Sequence, residues 1–569
     1  MKTTLLTVAL ATTAVLTTAQ TNVLDWAYKT GTQYNILAVD AVGNTYRGGA
    51  FTGTVDFDWG TGVANETASN YKMYITKYNT AGQFMWVKTI KMTSVGGMRA
   101  ISLDKNANIL ITGAFNDSTD FDPSANTASL IPKGFDDVFV AKYDSSGNYI
   151  WAKQFSGQLD EVGTAICADE QGNVCTSGYF LDNVDFNPGA AVLNLNSSGQ
   201  FSPFVVKLDK NGNFLWAKKL SGARSYAIRT DKQNNLYAGG DFWQAADFDP
   251  STTGTTTLTP KGDYDVFITK LDSNGTFGWA SSYGTSKTDY LRLSAMSVDN
   301  GGSVYITGAF TDTLHNSTDT ATLRAIGESD IFILKFNANG KLAWAKQVGN
   351  VKTGNYTSTN AGWKVALDAQ AKVYTIGNYS AGNNAIDFNP NAGVYNITSV
   401  SGNNSGLFIL KLDSTGKFNW VGKYAGLNVY CDAVCIDNAN NIYTTGSFNG
   451  TVDFNPSLNA SDTFSLKTNN NYDGFVNKFV QLPLVNNIRN NNQAFNNITI
   501  YPNPAHTTVT VVTPTININA PMRIVNVLGQ VVLTQIITGA TITINVNELP
   551  KGIYFVTIDN STTQKLIID

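Results

Sequence analysis

The stretch NIYTTGSFNGTVDFNP (residues 441–456) restates a phrase from the start of the chain, NTYRGGAFTGTVDFD (44–58). Between the two, the pattern recurs as NILITGAF (108–115), NVCTSGYF (173–180), SVYITGAF (303–310) and KVYTIGNY (372–379). Each copy is an apolar run broken by Gly before an aromatic ring. Tryptophans set the register: Trp26, Trp86, Trp151, Trp216, Trp279, Trp344 and Trp420 stand 60 to 76 residues apart. Ahead of a Trp come a strand, a turn and a second strand, as in DVFVAKYDSSGNYIW (137–151) and DVFITKLDSNGTFGW (265–279). A unit thus holds four short runs rich in Val, Ile, Phe and Tyr, separated by Asn, Asp and Gly turns, the pattern of antiparallel strands. In DSSGN (144–148), Asp can bond nearby amides and Gly can take a positive φ.

Four-stranded sheets repeated at a steady period read as blades of a β-propeller. The seventh unit begins at Trp420 and reaches DGFVNKF (473–479), with no eighth Trp strand after it. The opposite end starts with NVLDWAYKT (22–30), a Trp strand with no unit before it. The expectation is an all-β chain: a seven-bladed β-propeller of four-stranded blades closed by the N-terminal strand, which leaves no open edge. An open stack of sheets is the alternative. The recurrent Trp, Phe and Tyr read as packing between blades rather than as a row of carbohydrate platforms. The units resemble the SBBP-type repeat of exported bacterial β-propellers, through the D-x-x-G/N-N-x-Y-x-x-G-x-F strand pair and the trailing F-x-x-K-x-D-x-x-G. That resemblance covers about residues 22–480 and implies a scaffold, with little about function.

A chain of 569 residues exceeds one ordinary core. Charged residues make up 14% and net charge is −4 with no basic block, which argues against nucleic-acid partners. The opening MKTTLLTVALATTAVLTTAQ has a positive start, an apolar stretch and small residues before Gln20. Residues 1–19 read as a cleavable signal peptide, too short and Thr-rich to span a membrane, and no later segment reads as transmembrane.

Chemistry is sparse. The loops VDFD (55–58), DFDP (120–123), VDFNP (184–188), DFDP (247–250), DFNP (387–390) and VDFNP (452–456) pair oxygen ligands one residue apart, and LHNSTDT (314–320) replaces them in the fifth unit. They suit either a turn, with Asp capping amides and Pro stopping the strand, or structural Ca²⁺, the one cofactor these loops would admit. No cofactor is required, and no metal ligand set is assigned. His315 and His506 are the only histidines. Neither H-E-x-x-H nor G-x-S-x-G occurs, and no catalytic residue can be picked out. Cys167 and Cys175 flank ADEQGN symmetrically and would face each other across a regular hairpin, within reach of a disulfide. Cys435 takes the place of Cys167 in its unit, but Tyr443 takes that of Cys175. Cys431 and Cys435 are too far apart along one strand to bond.

After Val480 the composition changes. Residues 481–497 are Asn-rich and read as a linker. Residues 498–569 hold short alternating runs that fit a small β-sandwich. This module resembles the C-terminal sorting domain of the type IX secretion system of Bacteroidetes, through Tyr501-Pro502-Asn503-Pro504, Val527-x-Gly529-Gln530-Val531-Val532, Leu549-x-x-Gly552-x-Tyr554 and a terminal strand with Lys565. The family often ends on a basic residue, whereas this chain ends in Asp569. The resemblance implies periplasmic transit, then export by the type IX machinery through residues 498–569. Removal of the sorting domain follows, with release or attachment to the cell surface. The functional expectation is a secreted or cell-surface binding or scaffold protein, holding a surface glycan or protein through propeller loops. A polysaccharide-active enzyme, glycosidase or lyase, and a passive surface-layer component are the alternatives.

Overall fold

The computed structural model describes residues 20–483 and 499–569, apart from 33–34, 93–96, 286–291, 316–321, 351–359, 381–384, 399–405, 427, 458–462, 469–470, 513–520, 528–529 and 559–561. The expected signal peptide (1–19), most of the expected linker (481–497) and residues 316–320 of LHNSTDT lie outside the described residues. Two compact parts separate, Gln20–Leu482 and the C-terminal module.

In the larger part the repeats form seven antiparallel sheets among the described residues, each with four main strands. In the third, the order is Glu161–Ala168, Val174–Phe180, Ser202–Leu208, Phe214–Lys219, from inner to outer strand. The last sheet takes its outer strand from the other end of the chain: Gln20–Lys29 lies beside Asp473–Pro483. Thr30 N–H donates to the Gly474 carbonyl at 3.0 Å, and Lys478 pairs with Asp25 at 2.9 Å. Inner strands pack on their neighbours in cyclic order, and Asn35–Val39 touches both Gly97–Leu103 and Val429–Ile436.

Both turns of a sheet fall at one end, here the turn end. In the turn after each inner strand an Asp carboxylate accepts two or more N–H groups, as Asp231 does from Gln233 and Asn235, both at 2.9 Å. Units join there by one repeated device. The Trp151 indole N–H donates to the Lys210 carbonyl in the next unit's outer turn, and Gly212, at φ 81°, lies on that ring. A Cβ at Gly212 would come 2.9 Å from the indole. A lysine of the third strand reaches the same carbonyl, as with Lys207 and Trp216 on Ser273 at 3.2 and 3.1 Å. Trp26 and Lys478 repeat this on Thr80, across the two ends of the array. Where the second strand carries Tyr46, Tyr237, Tyr305, Tyr374 or Tyr443, the phenol donates to the turn Asp and the lysine lies over the ring. Where Leu110 or Cys175 stands instead, the ammonium reaches the Asp itself, Lys142–Asp104 at 2.9 Å and Lys207–Asp169 at 2.8 Å. The two arrangements keep the buried cation partnered, as a low-dielectric site demands.

One junction departs. The sheet completed by Gln20–Lys29 has no outer turn, so Trp420 and Lys411 lack the usual carbonyl. Lys411 donates to Gln481 Oε1 at 2.5 Å, while the buried Trp420 indole nitrogen has no partner. Burial, with Lys372 nearby, pulls the Lys411 ammonium down to about 8.

The opposite, hairpin end carries a two-stranded ribbon in most units, such as Asn183–Asp185 with Asn194–Asn196. Reading the Asp-rich segments as plain loops missed these ribbons. Each ribbon inserts a fully buried phenylalanine into an aromatic triad, Phe180–Phe186–Phe204 or Phe242–Phe248–Phe267, with centroids 4.7 to 6.5 Å apart. The fifth unit departs: its Leu314 is in register with Val184, and Asn316, in the sequence place of Phe186, lies outside the described residues.

The C-terminal module has two antiparallel sheets, one of Thr499–Tyr501, Thr508–Val512 and Thr541–Asn545, the other of Val531–Ile536, Pro521–Asn526, Gly552–Ile558 and Thr562–Ile568. Val509, Val511, Met522, Ile524, Val556 and Leu566 fill its core.

Candidate functional site

The Asp-rich segments serve the fold. Asp120 Oδ1 accepts from Asp122 and Ala128 N–H at 3.1 and 2.7 Å, and Asp185 Oδ1 from Asn187 and Leu193 at 3.0 and 2.9 Å. Asp56, Asp247, Asp387 and Asp453 repeat the clasp. In each loop one carboxylate oxygen, Oδ1 of the leading Asp, takes two amides, which fits the turn. No group of three or more His, Cys, Asp or Glu placed to hold a metal occurs among the described residues.

Cys167 and Cys175 are register partners, as their spacing predicts, and are unbonded buried thiols here. Burial pushes the Cys435 thiol up to about 12. His315 lies in a ribbon, its Nδ1 3.2 Å from the Thr313 carbonyl. His506 sits 2.9 Å from Asp569 in the other compact part. Neither is joined to a nucleophile by any hydrogen bond described.

What concentrates unusual residues is the hairpin end. Six inner strands each carry a β-bulge, and the extra residue is Arg99, Thr164, Tyr226, Ser294, Trp363 or Asp432. A bulge turns a side chain out of the regular alternation and is common beside binding sites. A cavity of about 450 Å³, lined by all seven inner strands, takes Arg99, Tyr226 and Asp432 in its wall, with Lys364 and Arg229. Burial raises the Asp432 carboxyl to about 6 against the pull of Lys364, and its Oδ2 has no partner. The bulges were missed from sequence, because a single inserted residue leaves no mark on so short a strand.

Two aromatic groups lie at the hairpin end. In the first, the Arg224 guanidinium lies 5.3, 4.5 and 5.6 Å from the ring centroids of Tyr179, Phe201 and Trp243. Tyr264 is 6.0 Å from Trp243. In the second, Trp363 stacks on Tyr430 at 5.6 Å and 9°, with Tyr472 6.0 Å beyond. Nearby, Asp136, Asp137, Asp160 and Glu161 crowd one junction. Glu161 N–H donates to the Asp136 carbonyl at 2.7 Å, and its own carboxylate accepts from Gly157 N–H at 2.9 Å. Burial, then the Asp137 charge, lift the Glu161 carboxyl to about 9.

In the C-terminal module the motif residues hold the last strand. The Asn503 side chain donates to the Lys565 carbonyl at 2.7 Å and accepts from Ile567 N–H at 2.8 Å. Ala505 N–H donates to the Ile567 carbonyl at 2.8 Å, and the Tyr554 phenol to Pro550 at 2.7 Å.

Residues 499–569 match the family described as a secretion system C-terminal sorting domain. The uncharacterized WD repeat-containing protein L264 of Acanthamoeba polyphaga mimivirus is 32% identical over 157 residues, 26% of this chain and 11% of that protein. The regulatory protein FlaEY of Caulobacter vibrioides is 23% identical over 262 residues, 40% of this chain and 26% of that protein. The chain thus spans a small share of the curated relatives it matches. Among solved structures, the Dos1 propeller is similar with a TM-score of 0.35 at 8% identity, covering 80% of this chain and 95% of that one. PorZ, a surface component of the type IX secretion system of Porphyromonas gingivalis, gives 0.18 at 10% identity, covering 97% and 100%. These scores are too low to carry an argument. Among the described residues no helix is long and apolar enough to cross a membrane. The terminal module is a type IX secretion sorting domain, and the chain that bears it is an exported, surface-associated protein built on a β-repeat scaffold.

Proposed function

We propose that the repeats form a closed, seven-bladed propeller of the SBBP type, delivered outside the cell by residues 498–569, and that it binds a surface glycan or protein at its hairpin end without turning it over. The observation that carries this reading is the contrast between ends: turn-end contacts recur from unit to unit, while the hairpin-end mouth collects charged and aromatic side chains that the repeat does not require. Rigid scaffolds bind through the variable loops they hold in place.

Two experiments test it. Deleting residues 499–569 leaves the protein in the periplasm, and fractionation with whole-cell labelling reads this out; surface display of the truncated chain contradicts the sorting role. The purified mature chain retains a surface glycan or protein and releases no new reducing ends or cleaved peptide. Turnover lost on changing a carboxylate pair would make it an enzyme instead.

A further inference from the structure

The two aromatic groups lie off the repeat. Tyr179 stands where other units carry Ala114, Asp241, Ala309, Asn378 or Ser447, and Trp243 where they carry Asn116, Leu181, Thr311, Ser380 or Asn449. The bulge position of Trp363 is Arg99, Thr164, Tyr226, Ser294 or Asp432 elsewhere. Sheets with small or polar residues at these places fold alongside, so the rings are not what the scaffold needs. Tyr179, Trp243 and Trp363 are half-buried, and Tyr264, Tyr430 and Tyr472 beside them keep between 37% and 39% of their surface exposed.

Resting on the reading of the hairpin end as the binding face, we propose that these groups are two saccharide-stacking stations that hold one polysaccharide chain across the channel mouth. A pyranose has an apolar C–H face and a rim of hydroxyls. Flat rings accept the face, and polar groups beside them meet the rim. The first station supplies Tyr179, Trp243 and Tyr264, with Arg224 and its register partner Asp241 at hand. The second supplies Trp363, Tyr430 and Tyr472, with Lys364 and Asp432 in the adjoining channel wall. One station sits where the third and fourth sheets meet, the other where the sixth and seventh meet. Three sheets separate them in the cyclic order, which puts them on opposite sides of the mouth. A small ligand touches one; an extended polymer touches both and gains from joint attachment.

Affinity electrophoresis of the mature chain in gels holding mixed-linkage β-glucan, xylan or alginate tests this. At least one polymer is expected to retard the wild type. Trp243→Ala/Tyr264→Ala and Trp363→Ala/Tyr430→Ala should each weaken retardation ~10-fold, and the four changes together abolish it. Trp243→Phe/Tyr264→Phe, which keeps a ring face, should retain most of it, and unchanged melting shows that the variants fold. Retardation of the wild type by none of the three overturns the saccharide stations. If the mature chain then retains a protein partner and loses it on the same substitutions, the binding face stands without them. Retardation lost instead on Lys105→Ala/Lys232→Ala, at the turn end, overturns both.

Discussion

The two ends of the sheets obey different rules. At the turn end, one Trp, one Lys and one Gly do the same job at successive junctions, and where the second-strand Tyr is missing the lysine moves to meet its Asp directly. At the hairpin end the buried phenylalanine plug repeats, but the side chains around the mouth follow no period. Repetition marks what the scaffold cannot do without. Departure from it marks what the scaffold carries.

The largest effect expected from breaking this contrast lies at the turn end. Trp151→Ala removes a buried ring and its bond to Lys210, and should cost about 3–5 kcal/mol by denaturant unfolding. The Trp243→Ala/Tyr264→Ala pair at the hairpin end should cost under about 1 kcal/mol in the same assay. Equal losses would erase the distinction between ends.

A second effect concerns Glu161. Its carboxyl is raised from 4.5 to about 9, chiefly by burial. The stability its proton supplies is therefore fully present below about 4.5 and is lost as pH rises through about 9. Asp137 and Asp160 face Glu161, and Asp136 beside them faces Asp160, Asp137 and Arg99. Glu161→Gln, which keeps the protonated shape, should raise the melting temperature at pH 8 by several degrees and leave it nearly unchanged at pH 4. A gain at pH 4 of equal size would mean that the effect is not the proton.

Smaller still is the difference between two tryptophans. Trp151→Phe loses a hydrogen bond worth about 1 kcal/mol, whereas Trp420→Phe loses none, since that indole nitrogen has no partner. Matching costs would mean that Trp420 finds a partner in solution. Smallest is calcium: with Oδ1 of each leading Asp taken by amides, chelation should shift melting by less than about 2 °C.

Much of the scaffold was legible. The Trp register predicted the four-stranded sheets, and the unmatched strand 22–30 does lie beside Asp473–Pro483. The symmetric flanks of ADEQGN placed Cys167 opposite Cys175. The site was not legible, for physical reasons. A bulge adds one residue without altering composition, so Arg99, Tyr226 and Asp432 could not be assigned to one cavity. Arg224 and the rings around it come from four separate segments that only the cyclic packing of sheets assembles. Gln481, read as the edge of a linker, stands in for a missing turn.

The proposed ring rests on the strand Gln20–Lys29, which lies beside Asp473–Pro483. The direct test is the cooperative melting of a mature chain that lacks residues 20–29. Melting should fall by more than about 10 °C, and a peptide of residues 20–31 added in excess should recover part of the loss. An unchanged melting temperature without the peptide would contradict a ring sealed by that strand.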